Sequence, residues 1–344
     1  MMTMTLRPAL TRMAAALIAL LLAGPARADA IADFYRGKTV SLYVSFPPAG
    51  GYDIYARVLA PHFSRHIPGN PAIIVRNMEG GSGVKAASYI STVTPQDGTA
   101  LGMFLDNLTL GKVLGGPGDF DPVKLVWIGR IVSTATVAVV WHTSPVQSVE
   151  AAKQREITIA ATVPSNSASF IPSALNDLVG TKFKIIRGYQ GSPPMALAME
   201  RGEVDAIGGI AWEAIQTTKP DWLTGRKVKF IYTLGAERHR DLPDVPGLTE
   251  FAPDERARNV LGLLGGGPDI GRAIVAEPGI PAERAAALRD AFMATMRDPA
   301  FIADMHGRNL TIDALPGDEL QRLIEKAAAT PRELVEQARR YVGQ

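Results

Sequence analysis

The residues of this chain best placed to do chemistry are two glycine clusters, Gly50-Gly51 and Gly80-Gly81-Ser82-Gly83. The chemistry they offer is capture of an anion by main-chain amides. Val40, Leu42, Val44 and Phe46 alternate with Ser41, Tyr43 and Ser45, the period of a β-strand, and Pro47-Pro48 ends the run. Gly50-Gly51 then permits a tight turn, because glycine tolerates backbone angles that a Cβ forbids. Beyond it Tyr55, Val58, Leu59 and His62 recur at helical spacing. The first amides of a helix have no internal acceptor and lie at the positive end of its dipole, so such a turn can hold a carboxylate without Lys or Arg. Strand, glycine turn and helix recur at Ala72–Asn77, Glu79–Gly83 and Val84–Ile90. On neighbouring strands the two turns would line one edge of an open α/β sheet, where such sheets bind ligands. Asp53 falls in the first helical turn and reads as an acid favouring the dipole; the alternative is that it orients the turn itself.

Other spacings fall short of chemistry. Gly37-Lys38-Thr39 imitates the end of a P-loop, but Ala32 stands where its first glycine belongs and a strand follows. His62 and His66 have metal-ligand spacing on one helix, yet Phe63-Ser64-Arg65 between them lacks the glutamate of a zinc protease, and they read as a solvated helix face. Ser82 among glycines fails the nucleophile elbow at Val84. None of the five histidines falls in a catalytic motif. The absence of cysteine excludes disulfides, thiolate metal sites and thiol catalysis. No catalytic residue, metal or cofactor is expected. Ser165-Asn166-Ser167 precedes a helix, and its hydroxyls and amide are the best candidates for a second set of ligand hydrogen bonds.

These turns need elements to hold them. The first residues read as an export signal: Arg7 and Arg12, then the apolar run Met13–Ala23, then Ala26-Arg27-Ala28 as a cleavage pattern. Removing residues 1–28 takes Arg7, Arg12 and Arg27 from the 36 basic residues and nothing from the 34 acidic ones, leaving 33 against 34, a formal charge of −1. With no basic block, nucleic acid is not an expected partner. Further strands are expected at Thr99–Leu105, Leu125–Ile131, Thr136–Trp141, Ile157–Thr162, Lys182–Arg187, Val204–Ile210, Val228–Tyr232 and Arg272–Ala276. The stretch Gly262–Gly271 is glycine-rich. After Pro281 the chain reads as helical, with Pro281, Pro299, Pro316 and Pro331 each at a helix start. Alternating strands and helices, with no internal sequence repeat, argue for two α/β lobes.

The run Phe34–Val40, Pro48–Asp53 and Ala56-Arg57 resembles the tripartite tricarboxylate transporter substrate-binding proteins, the Bug or TctC family. The likeness continues through His66–Pro71, Asn77-Met78, Pro95–Gly98, Gly180–Lys184, Gly188–Ser192 and Arg201–Asp205, over nearly the whole mature chain. It implies an α/β, two-lobe, type II Venus-flytrap periplasmic binding protein with two crossover strands. Lobe 1 would be residues 29–131 with 271–344, and lobe 2 residues 132–270. The implied function is capture of a mono-, di- or aromatic carboxylate between the lobes and delivery to a membrane permease, by a periplasmic monomer. Backbone amides of the first two glycine turns, with ordered waters, would hold the ligand's carboxylate. Carried over, the ligand-binding residues are Phe46, Ala49, Gly50, Gly51, Tyr52, Asp53, Gly80, Gly81, Ser82, Gly83, Asn107 and Ser133, with Ser165, Asn166, Ser167, Tyr189 and Trp212 from the second lobe. Glu79 stands where the family has proline and Ser82 where it has glycine; a carboxylate there would repel the ligand unless it points outward or is paired. Tyr52, with Phe46, Tyr189 and Trp212, suggests a ligand with a flat or apolar body, although each ring alone could be core. The alternatives are a secreted hydrolase of small esters or amides, and a carboxylate-sensing protein for a signalling partner.

Overall fold

Strand alternation decides which face of each lobe is buried. In β1 (Thr39–Val44) the side chains of Val40, Leu42 and Val44 are fully buried while Ser41 and Tyr43 face the other way. The computed structural model describes residues 30–235 and 238–343, so the leader expected over residues 1–28 lies outside the described residues. From β1 the chain runs through α1 (Gly51–His66), β2 (Ala72–Asn77), α2 (Val84–Thr92), β3 (Ala100–Met103), α3 (Asp106–Val113) and β4 (Val126–Val132). A second unit follows: β5 (Thr136–Trp141), α4 (Val149–Gln154), β6 (Ile157–Ala160), α5 (Ser167–Leu178), β7 (Phe183–Ile186), α6 (Ser192–Glu200), β8 (Ala206–Ala211), α7 (Trp212–Thr218), α8 (Pro220–Thr224) and β9 (Val228–Thr233). The remainder is α9 (Glu255–Gly265), α10 (Gly267–Ile270), β10 (Arg272–Ala276), α11 (Ala282–Arg297), α12 (Pro299–Gly307), β11 (Leu315–Pro316), α13 (Gly317–Ala328) and α14 (Arg332–Val342).

The two sheets follow one plan. The first has the order β11-β4-β10-β3-β1-β2 and the second β7-β6-β8-β5-β9. In each, three parallel strands (β3-β1-β2, β8-β6-β7) are followed by one that runs against them (β10, β5) and then one that runs with them (β4, β9); the first sheet adds β11, antiparallel to β4. The loops after β6 and β7 are therefore the topological counterparts of the glycine turns after β1 and β2, although no sequence repeat relates them. Two short segments join the sheets, β4 into β5 through Ser133–Ala135 and α10 into β10 through Gly271. This is the two-lobe α/β architecture with two crossover strands.

Packing explains several glycines and prolines. Gly129 of β4 lies under the Phe292 ring of α11, and Gly208 of β8 lies under the first turn of α5, where a Cβ would strike the Ala168 carbonyl. The glycine-rich stretch Gly262–Gly271 holds the end of α9 and all of α10; Gly265 lets α9 lie close on Leu248. Pro281, Pro316 and Pro331 each stand immediately before a helix and Pro299 opens one. The last helix, α14, leaves the first sheet and packs on α9 and α5, where the Tyr341 hydroxyl meets the Asp177 carboxylate.

One expectation fails. His62 and His66 do not form a solvated face. α12 packs over them: His62 is buried against the Phe301 ring with Nε2 3.2 Å from Asp304 Oδ2, and His66 Nε2 lies 3.0 Å from Asp298 Oδ2. The helix is amphipathic on a second side, which spacing within one element does not reveal.

Candidate functional site

β1, β2 and β3 end together, with Val44 opposite both Asn77 and Met103. Both glycine turns therefore leave the same edge of one sheet. Gly50 precedes α1 in an extended conformation, and no side chain caps that helix. The first-turn amides of α1 are thus left to whatever occupies the edge. Asp53 is engaged within the turn itself. Its buried carboxylate accepts from the Ala49 N–H (2.8 Å) and Arg57 Nε (2.8 Å) on one oxygen and from Asn77 Nδ2 (2.8 Å) on the other. Asn77 Nδ2 also donates to the Phe46 carbonyl (2.9 Å), and its Oδ1 accepts from Arg57 (2.9 Å). Asp53 therefore orients the 47–51 turn, and Asn77 ties β2 to that turn.

Burial alone would push the Asp53 carboxyl up, but hydrogen bonds from Arg57, Asn77 and the Ala49 amide outweigh it and hold the group below its ordinary value. A depressed folded-state value stabilises the protein above the ordinary carboxylate range and is lost as pH falls through the depressed value. Asp53→Asn should cost about 2 kcal/mol at neutral pH, the worth of hydrogen bonds to a buried charge. Urea unfolding of the two proteins should converge in acid; a gap of equal size at both pH values would refute this account.

The second turn is more strained. Gly80, Gly81, Ser82 and Gly83 have φ of 139°, 55°, 52° and 101°, four successive residues on the left-handed side. Ser82 is the one with a Cβ, and it is exposed, as is Glu79. Gly83 is buried against the end of β1, where an added Cβ would lie 3.2 Å from both Ser45 Oγ and Leu108 Cδ2.

Around the first turn stand rings and charges. Phe46 and Tyr52 stack with centroids 4.2 Å apart. The Tyr52 hydroxyl accepts from the Asp106 N–H (3.2 Å), and Asp106 Oδ2 accepts from the Thr134 hydroxyl (2.6 Å) in the β4–β5 connection. Burial pushes the Asp106 carboxyl up, against the pull of Thr134, the Asn107 amide and Arg272. Arg272, the first residue of β10, lies over the rings of Tyr55 (4.6 Å) and Tyr52 (5.3 Å). Its Nη2 would be 3.3 Å from a Cβ on Gly51. Nη1 and Nη2 donate to Glu213 Oε1 and Oε2 at 3.0 Å each, and Glu213 belongs to α7 of the other lobe. Sequence reasoning missed both residues. The available signal was a charge opening the otherwise apolar strand RAIVA, buried at every position.

In the second lobe, Asn166 accepts from the Ala168 N–H (2.9 Å) and caps α5, with Ser165 exposed and Ser167 half-buried beside it. Tyr189 and Trp212 are half-buried against the Val137–Ile210 core, Trp212 edge-on to Phe230 at 5.5 Å. Among the described residues six buried side-chain atoms lack a hydrogen-bond partner, and four of them stand at strand ends on the two facing edges: Ser45 Oγ, Thr162 Oγ1, Trp212 Nε1 and Arg272 Nε. Unpartnered buried donors at the ends of these strands are groups that a ligand bearing acceptors could satisfy.

Asn107 and Ser133 follow β3 and β4 at the same edge. Asn107 is exposed and rests against Gly267 of α10. Ser133 Oγ donates to Asp313 Oδ2 (2.6 Å), which also receives Arg130 Nη2 (3.0 Å). His239 Nε2 is 3.5 Å from Ser133 Oγ, and its Nδ1 accepts from the Asp241 N–H (3.2 Å). The ring proton is therefore on Nε2, facing Ser133. The Ser133 proton is committed to Asp313 and not to the imidazole, so this Ser–His–Asp grouping lacks the hydrogen-bond order of a serine nucleophile with a histidine base and braces the crossing strands. No cluster of three or more His, Cys, Asp or Glu side chains is arranged for a metal among the described residues.

Two α/β lobes on one strand plan, joined by two crossings and lined with unpartnered donors, define a two-lobe solute-binding protein. The chain matches the tripartite tricarboxylate transporter family receptor over residues 55–339, and it belongs to that family. It is 23% identical over 266 residues to the UPF0065 protein in the tcbD-tcbE intergenic region of Pseudomonas sp. (strain P51), covering 71% of this chain and 76% of that one. Among solved structures, a TctC solute-binding protein from Polaromonas aligns with a TM-score of 0.69 at 20% identity, over 88% of this chain and 99% of that one. R. palustris Rpa4515 with adipate aligns with a TM-score of 0.56 at 20% identity, over 88% and 97%.

Proposed function

We propose that this protein is a periplasmic, monomeric receptor that captures an organic carboxylate between its lobes and presents it to the permease of a tripartite transporter. The observation that carries this reading is the uncapped start of α1 at Gly50-Gly51, with a guanidinium beside it and an aromatic pair, Phe46 and Tyr52, as its wall. Amides and a cation suit an acid group; stacked rings suit a ligand with an apolar or flat body. Adipate in the R. palustris relative supports the same ligand class. In this reading residues 1–28 are a cleaved leader. Lobe 1 spans residues 29–131 and continues from residue 271, lobe 2 spans residues 132–270, and α14 straps the two. The ligand contacts are the amides of Gly50–Asp53 and Gly80–Gly83, with Tyr52 from lobe 1 and Thr162, Ser167, Tyr189 and Trp212 from lobe 2. The work done is binding and closure, with no bond chemistry.

Calorimetry of the mature protein against a panel of adipate, shorter and longer dicarboxylates and aromatic monocarboxylates, each paired with its amide, tests the proposal. Saturable binding of at least one acid and not of its amide is expected. Binding only of neutral or cationic members would overturn it.

A further inference from the structure

We propose that Glu213 is a built-in stand-in for the ligand's acid group, holding the lobes together through Arg272 until an incoming carboxylate replaces it there. The inference rests on the reading that the cleft takes a carboxylate, and it names the charged anchor that the sequence did not reveal.

The two partners are unequal. The Arg272 side chain is 8% exposed and that of Glu213 54%. Burial of a cation that deep is offset by a carboxylate at its side, whereas a half-exposed glutamate can return to water at little cost. Tyr52 and Tyr55 fix the guanidinium from one lobe, and Glu213 approaches from the other. The fork-to-fork arrangement, two bonds of 3.0 Å, is the geometry a ligand carboxylate would make. Nη2 also points at the Gly51 turn, so an acid group seated on the α1 amides lies within reach of Arg272. Finally, Arg272 Nε is buried and has no partner, so Glu213 leaves one donor of the fork unused. A ligand bearing a second acceptor gains a bond that Glu213 does not make. Exchange is therefore favourable for an oxygen-rich acid, while the lobes stay bridged by Glu213 in its absence.

Acetate serves as the probe. In Glu213→Ala the guanidinium is released, and acetate should raise the melting temperature saturably, with an apparent Kd at least tenfold below that in the wild type. Acetamide should do nothing. In Arg272→Met/Glu213→Ala both charges leave together, so no unpaired ion remains buried; a cooperative melt shows that it folds, and the acetate response should vanish. Equal responses of wild type and Glu213→Ala, no response of Glu213→Ala, or a response retained in the double variant would each overturn the proposal. The carboxylate panel separates the two readings. If an acid binds wild type and the double variant alike, the turns capture carboxylates but Glu213 is no stand-in. If acetate binds wild type weakly and Glu213→Ala tightly while no acid of the panel binds wild type, the exchange at Arg272 holds and the transport reading falls.

Discussion

Gly51→Val is expected to lower affinity for the bound carboxylate at least a hundredfold while the protein remains folded. Gly51 is the first residue of α1 and its φ is not in the left-handed region, so an L-residue fits its backbone. The one atom near an added Cβ is Arg272 Nη2, 3.3 Å away at the free end of a long side chain. Placing a β-branched residue in a helix costs under about 1 kcal/mol. The isopropyl group, however, covers the amides that open α1 and presses on the guanidinium beside them. A hundredfold loss corresponds to about 2.7 kcal/mol, the worth of one or two charge-assisted hydrogen bonds. Calorimetry with an acid that binds the wild type, beside a thermal melt, reads both quantities. Unchanged affinity in a folded variant would remove the first turn from the site. The same substitution at Gly81 is a poorer probe, because its φ of 55° makes any side chain strained and confounds binding with folding.

Gly271→Val should be the most damaging single change at the crossings, costing about 4 kcal/mol. Gly271 has φ 56° and ψ −143°, a combination open essentially to glycine, which charges a branched residue about 1–3 kcal/mol. Its Cβ would also strike the Val132 carbonyl oxygen and come within 2.8 Å of Ser133 Cα, both backbone atoms of the other crossing strand. Overpacking against backbone adds about 1–3 kcal/mol, since neither strand can turn aside. Gly180→Ala is the control: φ is 82° there but nothing lies within 4 Å of an added Cβ, so only the conformational cost of about 1–2 kcal/mol applies. Urea unfolding should rank the two accordingly. A Gly271→Val protein as stable as Gly180→Ala would show that the crossing strands are not locked against each other.

Much of the lobe carrying the site was legible because its signals are local. Alternation in Val40–Phe46, the proline stop and the paired glycines each depend on neighbours in the chain, and they place β1, its turn and α1. The resemblance supplied the two-lobe order, which the common strand plan of the two sheets explains. The second lobe's loops were legible as polar stretches before helices, and topology shows why they sit where the glycine turns sit in the first lobe.

What escaped was contact between distant residues. Asp53 looks like a helix-dipole acid until Asn77, 24 residues on, is seen to bind it. His62 and His66 look solvated until α12 covers them from more than 230 residues away. Arg272 and Glu213 lie 59 residues apart in separate lobes, with no periodicity between them. Residue order alone determined the family, the strand–turn–helix units and the glycine turns proposed as the grip. Only the folded chain decided which charge stands beside that grip and what opposes it, because a buried cation's partner is selected by proximity across the cleft and by its loss of water, and neither is written in local spacing.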